Sequence, residues 1–157
     1  MEDTELQRLL VDALDDERKA EATYATVIDE FGPVRPFTNI IEAEGRHSLA
    51  IERQMVRLGF PIPVNRWEGR GEVPAALAQA CEMAIPAEIE NIALYDRLIP
   101  RVGDPSVRQV LENLQAASRH NHLPAFRRCL AREGRGGGRG SAESRQGGTR
   151  RRGRCRA

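Results

Sequence analysis

At 157 residues, 40% apolar and 30% charged, the chain suits one globular domain with a core of its own. No run approaches the roughly 20 apolar residues that cross a bilayer. The opening MEDTELQRLL is acidic where an export signal is basic and then apolar, so the expectation is a cytoplasmic protein with no membrane partner. The net charge of +1 hides a division: from Gly134 onward eight Arg accompany one Glu, whereas the residues before it hold 16 basic and 22 acidic side chains. Three cysteines, Cys81, Cys129 and Cys155, show neither metal-type spacing nor an even-numbered framework, and are expected as buried or free thiols.

In chain order, apolar residues recur at helical spacing in four segments. The first spans about 4–31, with Leu6, Leu10, Ala13, Ala20, Tyr24, Val27 and Phe31 on one seam. The second spans about 36–58, opening at Pro36 and closing before Gly59, with Phe37, Ile40, Ile41, Ile51, Met55 and Leu58 inward. The connection GFPIPVNRWEGRGEVP is rich in Pro and Gly and carries the single Trp67; it reads as an ordered loop over the bundle. A third helix is predicted over about 74–102 with a kink at Pro86, and a fourth, after the turn GDPS, over about 105–132 with an internal Pro124. Residues 134–157, GRGGGRGSAESRQGGTRRRGRCRA, hold no apolar periodicity and are expected to be disordered. Two short turns flanking one long connection predict an all-α four-helix bundle over 1–133, built from two hairpins and a crossover.

The seams contain acids. In helix 1 the series Leu6, Leu10, Ala13 reaches Glu17; in helix 2 Ile40 and Ile41 lead to Glu44 and His47; in helix 3 Leu77, Cys81, Ala84 reach Glu88. A buried carboxylate must be protonated, paired or bound to a metal, because leaving it charged and alone costs several kcal/mol. Carboxylates from several helices with inward histidines are what a metal centre inside a bundle requires. In helix 4 the series Val107, Leu111, Leu114, Ser118, His122, Phe126 and Leu130 puts His122 inside. At 100° per residue, His120 falls about 160° away, on the surface, unless Pro124 shifts the local phase.

The halves echo each other. Glu17 precedes Tyr24 by seven residues and Glu88 precedes Tyr95 by seven, while EGRHSLA in the first half has ASRHNHL as its counterpart in the second. These strings, with FTNIIEAEGRH, AEIENIALYDRL and SRHNHLPAF, resemble the ferritin-like superfamily. They are similar to rubrerythrin-type di-iron proteins and, more closely, to an uncharacterised bacterial and archaeal ferritin-like family of unknown function. The resemblance covers about residues 4–132. It implies iron as cofactor, with Glu17 and Glu88 as terminal carboxylates, Glu44 as a bridge, His47 on one ion and His122 on the other, and Tyr24 and Tyr95 as donors to the ligands. It also implies iron oxidation or reaction with peroxide or dioxygen. The chain departs from that pattern where a second bridging Glu would stand three residues before the helix 4 histidine: position 119 is Arg and position 117 is Ala. Glu21, one turn beyond Glu17, is the nearest substitute, and His120 is the other reserve ligand. Two further readings remain open from sequence: sequence-insensitive nucleic-acid binding by the Arg/Gly tail, and a metal-free helical interaction module. A homodimer is also compatible with the sequence.

Overall fold

A computed structural model describes residues 3–136, and the expected tail lies outside them apart from residues 134–136, which are helical. The helices are α1 (Asp3–Phe31), α2 (Phe37–Arg57), α3 (Leu77–Leu98), α4 (Pro105–Ala117) and α5 (Leu123–Gly136), and no strand occurs among the described residues. A 3₁₀ turn, Ile99–Arg101, extends α3, and a π turn, Ser118–His122, joins α4 to α5 into one continuous rod. The chain is therefore a four-helix bundle. α1 packs on α2 as one hairpin, α3 packs on the α4–α5 rod as the other, and α1–α3 and α2–α4 contacts close the bundle.

Local chemistry explains the boundaries. Gly59, at a φ of 73°, adopts a left-handed conformation that ends α2. Asp104 caps α4, accepting from the backbone N–H of Ser106 and Val107 at 2.9 Å each, with Pro105 supplying the preset first turn. α3 begins at Leu77, three residues later than Pro74 predicts, and runs through Pro86 without a break. In the fourth rod Pro124 cannot donate to the His120 carbonyl. The chain takes a wider turn just ahead of it, with the Leu123 N–H reaching back five residues to the Ser118 carbonyl.

The crossover between α2 and α3 lies along α1. Arg18 donates to the Pro63 carbonyl at 2.8 Å, Arg66 holds Asp15 through two bonds of 2.7 and 2.9 Å, and the Trp67 ring nitrogen donates to Asp15 at 2.9 Å. Gly71 comes so near α1 that a Cβ there would stand 2.7 Å from the Ala22 carbonyl oxygen, so only glycine fits.

Two apolar plugs fill the interior. Leu10, Leu14, Ile51, Met55, Leu98 and Leu111 belong to one; Val27, Phe37, Ile40, Ala84 and Phe126 belong to the other. Along every helix the buried polar residues fall between the two: Glu17 after Leu14, Glu44 after Ile40, Glu88 after Ala84, and His122 between Leu114 and Phe126. The second plug also contains Cys81 and Cys129, joined as a disulfide between α3 and α5. Of the expectation of buried or free thiols, burial holds for this pair and the thiol state does not. Their 48-residue separation carried no motif, and only the packing of α3 on α5 brings them together.

Candidate metal centre

Midway along the bundle three carboxylates and two imidazoles converge. Glu17 is 0% exposed, Glu44 2%, Glu88 3% and His122 3%, with His47 slightly more open at the edge. Glu44 lies at the centre. Its Oε2 is 3.1 Å from Nδ1 of His47, and its Oε1 is 3.1 Å from Nδ1 of His122. His47 Nδ1 also lies 3.0 Å from Glu17 Oε2, and His122 Nδ1 lies 3.5 Å from Glu88 Oε2. The imidazole rings stack with centroids 5.5 Å apart. Two overlapping ligand sets result: Glu17, Glu44 and His47, and Glu44, Glu88 and His122, each with donor atoms within 4.8 Å of one another.

The outer carboxylates are held reciprocally. Tyr24 of α1 donates its hydroxyl to Glu88 of α3 at 2.6 Å, and Tyr95 of α3 donates to Glu17 of α1. Asn91 donates to Glu17 at 3.0 Å and to Asp16 at 2.7 Å. Each hairpin thus orients the acid of the other, and the approximate two-fold relation read from the Glu–Tyr spacing exists in three dimensions.

Charges in this buried layer act strongly on one another. Burial, reinforced by the neighbouring Glu44 charge, pushes the Glu17 carboxyl up to about 7. Burial acts in the same direction on Glu44, but the imidazoles of His122 and His47 beside it outweigh burial and hold that carboxyl below its usual range. Burial would lower both imidazoles, yet their carboxylate partners prevail, raising His47 to about 9 and His122 to about 10. Tyr24 and Tyr95 are driven well above the ordinary phenol range, first by burial and then by the adjacent acids, so both stay protonated donors.

The donor set fits a metal ion. His122 Nδ1 is buried and lacks a hydrogen bond of acceptable geometry despite standing 3.1 Å from a carboxylate oxygen. An unpartnered ring nitrogen with carboxylate oxygens, all within 4.8 Å of one another, is a set that can hold a cation. Three carboxylates with two imidazoles suit iron, manganese or zinc by ligand type.

The reserve ligands are not drawn in. His120 is exposed, opposite the His122 face, and Glu21 lies against Gly45 and belongs to neither ligand set. Matching the two RH strings of the repeat would pair His47 with His120, whereas the fold pairs His47 with His122. The π turn explains the offset. Its extra residue lets Ser118 and His122, four apart and both buried, take the relation that Glu44 and His47 hold at three. The buried residue one turn before His122 is Ser118; Arg119 is exposed and pairs with Asp96 at 3.3 Å. Asn91, Ser48 and Asp16 went unnoticed in the sequence. Steps of three and four from Glu88 to Asn91 to Tyr95, and from Glu44 to Ser48, contained the signal for two of them.

A cavity of about 530 Å³ reaches this layer from solvent. Its lining includes Asp16, Lys19 and Tyr24 of α1, Glu88 and Asn91 of α3, Glu44, and Trp67 and Arg70 of the crossover. Burial, with the Glu17 charge adding, lifts the Asp16 carboxyl beside it to about 6.

Fold and site together define a helical bundle with a buried carboxylate–histidine cluster, accessible from one side. A structural relative has the same fold: the crystal structure of a hypothetical protein from Methanococcus jannaschii DSM 2661 matches with a TM-score of 0.75 at 24% identity, over 85% of this chain and 83% of that one. No family model and no curated protein sequence matches the chain. No helix among the described residues is long and apolar enough to cross a membrane.

Proposed function

We propose that this protein is a ferritin-like metal-binding protein whose buried cluster holds iron, as one ion or an asymmetric pair, for reaction with peroxide or dioxygen. The observation that carries the reading is the position of Glu44, whose two oxygens face two different imidazoles at 3.1 Å each. Glu17 and His47 would complete one position, Glu88 and His122 the other. The second position would have one carboxylate fewer than a symmetric di-iron site, because the buried residue one turn before His122 is Ser118 and not an acid.

Bound iron would supply one-electron redox chemistry toward a small oxidant. The chain's own residues do the rest. Tyr95 and Asn91 fix the Glu17 carboxylate, and Tyr24 fixes Glu88, so the ligands are oriented before an ion arrives. The two apolar plugs shield the layer on either side, and the cavity between α1, α3 and the crossover offers a route inward. In the metal-free chain the imidazoles carry protons at neutral pH and Glu17 is partly protonated; these protons must leave as the ion enters.

The test is elemental analysis and anomalous scattering on protein purified without a histidine tag. The expected result is stoichiometric iron at Glu44, lost in Glu44→Ala. Full metal retention in that variant would sink the assignment.

A further inference from the structure

The paired cysteines stand in register with the candidate metal centre. On α3 Cys81 precedes Glu88 by seven residues, and on the fourth rod Cys129 follows His122 by seven. Seven residues are nearly two full turns, so each cysteine lies on the same helix face as its ligand, roughly 10 Å along the axis. Both are 0% exposed, inside the apolar plug that contains Tyr24, whose hydroxyl is bonded to Glu88 at 2.6 Å.

Reactive cysteines are ordinarily part-exposed, because an oxidant or disulfide from solvent must touch the sulfur. Here the opening leads elsewhere. The cavity is lined by Tyr24, Ala84, Glu44 and Glu88, and by neither cysteine. A small oxidant therefore reaches the carboxylate–histidine cluster and not the sulfurs, while Tyr24 connects the cluster to the plug in which the sulfurs lie.

Resting on the metal-centre reading, we propose that Cys81 and Cys129 are a two-electron reservoir for that centre. In the reaction two S–H bonds break and one S–S bond forms. The two protons and two electrons released reduce one hydrogen peroxide, held at the centre, to two waters. The disulfide is the discharged state.

The experiment uses the full chain carrying Cys155→Ser, so that this pair supplies the only thiols. The protein is reduced with dithiothreitol in urea, refolded and desalted anaerobically and loaded with iron(II), then given one equivalent of hydrogen peroxide. Thiols are counted by acid quench, alkylation in denaturant and mass spectrometry, and iron oxidation is followed by absorbance. The expected result is loss of both thiols at least tenfold faster in loaded protein than in the metal-free chain or in Glu44→Ala, with the Cys81–Cys129 bridge found by peptide mapping. Equal rates with and without metal, or oxidised iron beside intact thiols, would overturn the reservoir and leave a structural staple. Failure of the metal reading is separately visible as absence of bound iron after dialysis. No cysteine of the pair is mutated, so misfolding cannot imitate either result.

Discussion

The two hairpins perform the same task with different backbones. In α2, Glu44 and His47 project inward from a regular α-helix, three residues apart. In the second hairpin the same role falls to a π turn that presents Ser118 and His122, four apart, immediately before Pro124. The difference teaches that both backbones can set a histidine inward, but only α2 sets a carboxylate one turn before it. The centre is therefore asymmetric: Glu44 serves both ligand sets, and nothing in the second hairpin duplicates it.

If both halves depend on Glu44, its loss should have the largest effect. Glu44→Ala should weaken divalent metal binding by more than about 100-fold at both positions, measured by anaerobic titration calorimetry, since outer-sphere substitutions alone cost 10- to 100-fold. Loss at only one position would show the halves to be independent. The next effect separates the hairpins by their covalent link. The second hairpin alone is bridged, by Cys81–Cys129 across 48 residues, and reduction should lower stability to urea by about 2–4 kcal/mol.

A smaller effect tests the symmetry that remains. Tyr24→Phe and Tyr95→Phe each remove one phenol from one outer carboxylate and should each weaken metal binding by about tenfold. Unequal losses would identify the more tightly held ion. In the metal-free chain His47 at about 9 and His122 at about 10 stand above the ordinary 6.5, so the folded state binds more protons through this range. That stabilisation is complete below pH 6.5 and is lost as pH rises through 9 to 10. Glu17, raised to about 7 from 4.5, loses its share as pH rises through 7. The melting temperature of metal-free protein should accordingly fall between pH 6.5 and 10, while metal affinity rises over the same interval as the ligands shed protons. Least of all, His120→Ala should change stability by no more than about 0.5 kcal/mol and leave metal binding intact, as expected for an exposed side chain. His122→Ala should not behave in this way.

Much of this was legible in the sequence for a simple reason. Helical periodicity is local, so an apolar seam interrupted by Glu17, Glu44, Glu88 and His122 reports inward acids without any knowledge of what lies opposite. The seven-residue Glu–Tyr spacing signalled the duplication too, but not that Tyr24 would reach Glu88 and Tyr95 would reach Glu17, since that exchange crosses between hairpins. At one string the repeat and the helical phase disagreed, and the phase, which put His122 inside and His120 outside, is what the structure has. Matching RH to RH places His120 opposite His47, because a sequence match cannot see a turn with one extra residue.

The residue pattern alone determined the number of helices, their inward faces and the chemical type of the buried groups, because these depend on neighbours within a turn or two. Only the tertiary structure decided that Glu44 faces both histidines, that a π turn buries Ser118 together with His122, that Asn91 joins Glu17, and that Cys81 meets Cys129. Each of these depends on how separate helices are set against one another, and that is governed by packing of the whole core rather than by any local segment.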